Sequence, residues 1–122
     1  FGRDAYEKAI VDQWNRRVEM RLMNAAGAVW IHADPRTAAI IKQNREYGEA
    51  NKPVFGATCK FFDAALEGRE FLATNDYTMA DILLQTTIDF GEFIDLHIPE
   101  GCKNLKAWHE RVSARPSAGA NS

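Results

Sequence analysis

Apolar residues recur every three or four positions along the opening part of the chain. They are Tyr6, Ile10, Trp14, Val18, Leu22, Ala25 and Val29. This spacing predicts one long amphipathic helix from Asp4 to His32. Asp4 supplies a start signal with Glu7, three residues later, and Asp34-Pro35 ends the helix.

A second helical stretch is predicted from Pro35 to Leu66. Its clearest apolar stripe is Phe55, Cys59, Phe62 and Leu66. Pro53 lies inside the stretch, and a proline removes a backbone donor and crowds the preceding turn, so a break or kink is expected at 51–53.

Two further helices follow. Thr78 and Asp81 have the spacing of a capping box, which predicts a structural role for both residues at the start of a helix. That helix is apolar nearly all round, so it is expected to be central and buried. The last helix carries Leu105, Trp108 and Val112 on one side.

No segment alternates as a strand would, so the sequence predicts an all-α fold, a helical bundle of about five helices. Residues 1–122 are expected to form a single helical domain, with residues 116–122 as a frayed tail.

The second half of the first helix carries an additional apolar face. On a helical wheel, Met20, Met23, Gly27, Trp30 and Ile31 gather roughly opposite the core stripe. A helix that is apolar on both sides must be covered on both. Either the segment that follows folds back over this face, or the face binds a partner or an apolar ligand.

Composition places the chain among single globular domains. It has 122 residues, of which 46% are hydrophobic and 26% charged, with a formal net charge of −2. The basic residues are scattered, so neither a nucleic acid nor an anionic membrane is expected as a partner. Cys59 and Cys102 form no C-x-x-C pair, which favours a reducing, cytoplasmic location. The chain begins at Phe1 and enters a helix almost at once, which suggests a fragment.

Candidate chemistry is scarce. The three histidines, His32, His97 and His109, have no spacing that would put two on one helical face, so no metal site is expected. Asp81 is the acidic residue best placed for burial, and its capping role accounts for it without catalysis. Asp89, Glu92 and Asp95 are interpreted as a solvated helix face. No catalytic residue is assigned in this chain.

Several motifs nevertheless resemble one family. They are Phe71-Leu72-Ala73, the run Thr78-Met79-Ala80-Asp81-Ile82, Leu105-Lys106-Ala107-Trp108 with Arg115-Pro116, and the opening Val11-Asp12-Gln13-Trp14. Taken in their order along the chain, these motifs resemble the C-terminal domain of cytosolic glutathione transferases of the bacterial or theta-like type. The chain departs from the family pattern at 74–76, at 102–103 and at Pro53.

The resemblance implies a preceding thioredoxin-like domain that binds glutathione, the co-substrate of the parent protein, and activates its thiol. This fragment itself would hold no cofactor. It would help to form the site of an apolar electrophilic small molecule at Met20, Met23, Gly27 and Trp30, and part of a homodimer interface. A detoxifying transferase is then the expected parent. The alternative is a non-catalytic interaction module for protein assembly, as related helical domains also form.

Overall fold

The structure, a computed structural model, describes residues 4–115. Its helices are α1 (Ala5–Arg17), α2 (Asn24–His32), α3 (Arg45–Ala65), α4 (Met79–Phe93) and α5 (Lys103–Ser113), and a π-helical turn at Val18–Met23 joins α1 to α2. No strand occurs within residues 4–115. The all-α prediction and the bundle of about five helices are confirmed. The predicted frayed tail at 116–122 lies outside the described residues.

The long first helix is present, but a π-turn divides it. The N–H of Asn24 donates to the carbonyl of Glu19, five residues earlier, where an α-helix would pair residues four apart. The turn therefore holds one extra residue and changes the rotation between α1 and α2. Val18 and Leu22, inside it, are fully buried. A wheel drawn at one constant angle does not describe this helix along its whole length.

The prediction of a helix from Pro35 to Leu66 is wrong over its first part, since residues 35–40 form turns and residues 41–44 are irregular. The segment makes bonds that an α-helix would not make. The Asp34 carbonyl, which a helix would pair with the N–H of Ala38, accepts instead from Gln43 Nε2 at 2.8 Å, and the N–H of Ala38 donates to the carbonyl of Pro35 at 3.3 Å. A new helix begins only where Asn44 Oδ1 accepts from the N–H of Tyr47.

A break or kink was expected at 51–53, and the break is wrong, because α3 runs through Pro53 without interruption. Packing holds the helix on both sides of the proline. A Cβ on Gly48 would lie 2.7 Å from the backbone carbon of His32, so α3 crosses α2 there in close contact. After the proline, Phe55 and Phe62 are buried in the core. Tertiary contacts of this kind outweigh the one lost backbone hydrogen bond.

The carboxylate of Asp81 ties the start of α4 to two other parts of the fold. Asp81 is 0% exposed. Its Oδ2 accepts from the N–H of Thr78 at 3.0 Å, while Oδ1 accepts from the N–H of Leu72 at 2.9 Å and from Trp108 Nε1 at 3.0 Å. A buried carboxylate is tolerated because these three donors replace its water.

The predicted capping box is therefore carried mainly by Asp81. The Thr78 side chain faces the Asp81 backbone N–H as such a box requires. Its Oγ1 is buried, however, and has no partner of hydrogen-bond geometry among the described residues.

Replacing Asp81 by Ala should lower the free energy of unfolding by about 3 kcal/mol or more, because three buried N–H groups lose their acceptor. Thr78→Val keeps the shape of its side chain and should cost about 1 kcal/mol or less. Urea unfolding followed by circular dichroism measures both. Equal losses for the two variants would contradict this assignment.

The carboxyl end of α4 closes in a Schellman turn. Asp95 takes a left-handed conformation with φ of 68°, and the N–H of Leu96 donates to the carbonyl of Gly91 at 2.7 Å. His97 bridges the turn, with Nδ1 2.8 Å from Glu92 Oε2 and Nε2 2.7 Å from Asp95 Oδ1. Hydrogen bonds to Glu92 and Asp95 raise the pKa of His97 above its usual value of 6.5.

This bridge should stabilise the fold only while His97 is charged. A raised folded-state pKa gives a contribution that is complete below about pH 6.5 and is lost as the pH rises through the folded pKa. His97→Gln should therefore lower the Tm more at about pH 5.5 than at about pH 8.5. The opposite order, or an NMR titration of the His97 ring with a midpoint below 6.5, would exclude the bridge.

Candidate functional site

An apolar groove lies between α2 and α4. Its volume is about 300 Å³, and its lining residues are Met23, Ala26, Gly27, Thr86, Thr87 and Phe90. The π-turn ends at Met23, so the distortion in the first helix lies at one end of the groove. A π-turn within an α-helix is often found at functional sites.

The structure brings two of the four predicted site residues into this groove, Met23 and Gly27. Trp30 lies one turn further along α2, half-buried, with its ring 5.7 Å from that of Phe90. Met20 is not among the lining residues. Met20 is 68% exposed and Met23 is 41% exposed, so the described residues leave both thioethers open to solvent. Their role in binding stays a prediction.

The groove offers apolar surface rather than hydrogen-bonding groups. Thr86 Oγ1 donates to the carbonyl of Ile82 at 2.8 Å, and Thr87 Oγ1 donates to that of Leu83 at 2.8 Å. Both hydroxyl protons are thus used within α4. A Cβ added to Gly27 would meet nothing within 4 Å, so the space above this glycine is open. Such a surface suits a ligand that is apolar where it is buried.

Three aromatic rings stand at the end of the groove near Trp30. The Trp30 ring is 5.9 Å from that of Phe93, and the Phe90 and Phe93 rings are 6.3 Å apart. Arg36 lies beside them, with its guanidinium carbon 4.4 Å from the centre of the Phe93 ring.

Sequence reasoning missed the α4 side of the groove and the place of Arg36. The apolar pattern places Phe90 and Phe93 only in a buried helix, and it gives Asp34-Pro35 only the end of one helix and the start of the next. The available signal was the aromatic pair at i and i+3 on α4, which must share one face. The π-turn determines which face of α2 lies opposite this aromatic pair. The apolar periodicity does not reveal that turn.

The described residues offer no activated nucleophile in this groove. Burial and the nearby Cys102 raise the pKa of the Cys59 thiol to about 12, and burial also raises the pKa of Cys102. Both thiols are buried, which makes them unreactive. Within residues 4–115 no cluster of three or more histidine, cysteine or acidic side chains could hold a metal ion. No helix of this part of the chain is long and apolar enough to cross a membrane.

Comparisons with known proteins agree with this architecture. Glutathione S-transferase 2 of Saccharomyces cerevisiae is 31% identical over 120 residues, which cover 95% of this chain and 51% of that protein. The chain thus spans about half the length of this relative.

Two solved structures share the fold. The crystal structure of Gtt2 from Saccharomyces cerevisiae matches with a TM-score of 0.88 and 28% identity, covering 98% of this chain and 58% of that one. A glutathione S-transferase domain-containing protein from Marinobacter aquaeolei VT8 matches with a TM-score of 0.85 and 36% identity, covering 96% of this chain and 58% of that one.

The family described as "Glutathione S-transferase, C-terminal domain" matches residues 22–116. This range includes the groove residues of both α2 and α4, together with α3 and α5. The chain therefore belongs to the glutathione S-transferase family, as a C-terminal domain of that family.

Proposed function

We propose that this chain is the helical half of a glutathione S-transferase and that the α2–α4 groove receives the apolar part of an electrophilic co-substrate. The observation that carries the proposal is the open apolar space between Met23, Gly27 and Phe90, beside exposed thioethers. A preceding thioredoxin-like domain would bind glutathione and activate its thiol.

Apolar burial would provide most of the binding in this groove. Removing apolar surface from water stabilises a complex by about 25 cal/mol per Å². Thioether and aromatic side chains also contact an aromatic ligand favourably. The volume of about 300 Å³ stands at the small end of ligand sites, which favours a compact co-substrate.

The contribution of this half to catalysis would be proximity. Holding the electrophile beside a thiolate replaces a bimolecular encounter by a positioned reaction and requires no catalytic group in the groove. This agrees with the absence of an activated nucleophile among the groove residues.

The oligomeric state, role and location of the parent protein are part of the same proposal. The parent would be a homodimer that uses part of this domain as its interface, and a detoxifying enzyme of the cytoplasm. The two buried cysteines are free thiols, which fits a reducing compartment. Size-exclusion chromatography with light scattering of the parent protein would measure the oligomeric state.

A non-catalytic interaction module is the second candidate. It is favoured by apolar side chains that stand outside the groove lining, since Met20 is 68% exposed and Phe93 is 59% exposed. Exposed apolar surface of this kind can bind a protein partner. A parent retained by immobilised glutathione would favour the transferase, whereas a parent that lacks a thiol-activating hydroxyl or cysteine would favour the module.

Met23→Asp should weaken binding of the apolar co-substrate, because a carboxylate in the groove must lose water when the ligand enters. In the parent protein we expect kcat/KM for that co-substrate to fall about tenfold, with the KM for glutathione unchanged. Met23→Leu conserves apolar volume and should retain activity within about threefold. If Met23→Asp left kcat/KM unchanged, the groove would not be the co-substrate site.

A further inference from the structure

We infer that Asp34 and Arg36 form a positioning pair that closes the Trp30 end of the groove and thereby limits the size of the ligand it accepts. This inference rests on the proposed binding of an apolar co-substrate in the α2–α4 groove. It concerns which apolar ligands fit, and it assigns neither residue to the chemical step.

Asp34 provides a fixed anchor at the end of α2. Its side chain is 5% exposed. Arg36 Nε donates to Oδ1 at 2.8 Å and Nη2 donates to Oδ2 at 2.7 Å, so the pair is held by two parallel hydrogen bonds. Hydrogen bonding to Arg36 lowers the pKa of Asp34, which keeps the anchor charged at neutral pH.

The backbone of Asp34 is held as well as its carboxylate. Gln43 Nε2 donates to the Asp34 carbonyl at 2.8 Å and to Thr37 Oγ1 at 3.0 Å. Thr37 Oγ1 in turn donates to the carbonyl of Trp30 at 2.6 Å. The turn that carries Arg36 is therefore attached to the residue that stands at the end of the groove.

Arg36 extends from this anchor to the end of α4. Its Nη2 also donates to the carbonyl of Phe93 at 3.1 Å. The guanidinium lies over the Phe93 ring and 5.4 Å from the centre of the Trp30 ring. One side chain thus joins Asp34, just after α2, to Phe93, the last residue of α4.

The aromatic rings connect Arg36 to the lining of the groove. Phe93 is 59% exposed, so few contacts other than those with Arg36 and its two aromatic neighbours restrain its ring. Phe90, which packs against both Trp30 and Phe93, lines the groove directly. If Arg36 releases Phe93, Trp30 and Phe90 lose a packing partner and the groove lengthens at that end.

A lysine could not replace Arg36 in this role. A lysine keeps the positive charge but cannot form two parallel hydrogen bonds to one carboxylate while lying flat over an aromatic ring. Arg36→Lys therefore removes the positioning geometry and retains the net charge. Arg17→Lys is a matched control, because Arg17 also lies over an aromatic ring, 4.5 Å from the centre of that of Trp14, and neither residue lines the groove.

The test is to compare the binding of naphthalene and of the larger pyrene to the 122-residue chain, from shifts of backbone amide resonances in NMR titrations. Unaltered protein and Arg17→Lys should prefer naphthalene. In Arg36→Lys the ratio of the two Kd values should shift toward pyrene by about threefold, the factor expected for an exposed cation–π contact. Circular dichroism should show the same helix content for all three proteins.

Two further variants make the outcomes distinguishable. Gly27→Leu fills the open space above α2 and should abolish binding of both ligands. If it leaves both Kd values unchanged, the groove is not the site and the proposed function is overturned. If it abolishes binding while Arg36→Lys leaves the ratio unchanged, only the positioning role is overturned. Should Arg36→Lys fail to fold, Phe93→Leu removes the same stacking contact, and an unchanged ratio in that variant rejects the inference equally.

Discussion

The buried carboxylate of Asp81 is the contact on which the arrangement of this domain depends. It accepts hydrogen bonds from the start of α4, from the connection before it at Leu72, and from Trp108 on α5. One carboxylate thus fixes the position of α4 relative to two other segments. A buried charge that loses its partners is costly, so few other arrangements of these three segments satisfy it. The place of α4 determines where Thr86, Thr87 and Phe90 stand opposite α2.

The groove results from the position of α4 and from the irregular first helix. The π-turn adds one residue before α2, and the close crossing of α3 over α2 at Gly48 leaves the other side of α2 free to face α4. Where the two helices approach, Gly27 has no side chain to fill the space. The groove is described for one domain, since the chain covers only 51% of its relative Glutathione S-transferase 2 of Saccharomyces cerevisiae.

The sequence predicted the helices and core residues that local apolar periodicity determines. The spacing of Val18 and Leu22, and of Phe55 and Phe62, identified helices and core residues, since apolar periodicity reports burial directly. It failed where tertiary contacts outweigh local preference. Pro53 lies inside α3 because packing holds the helix on either side. Residues 35–44 are not helical because the Asp34 carbonyl pairs with the Gln43 side chain and the N–H of Ala38 pairs with Pro35, three residues earlier. The apolar second face of the first helix was predicted, whereas the α4 wall opposite it required knowledge of the rotation at the π-turn.

The central claim is that the α2–α4 groove binds apolar ligands, and the three methionines of the chain allow it to be tested directly. Met23 lines the groove, whereas Met20 and Met79 do not. In protein labelled with ¹³C at the methionine methyl groups, titration with naphthalene should shift the Met23 resonance in a saturable way and leave that of Met79 in place. A saturable shift of Met79 with Met23 unmoved would contradict the account.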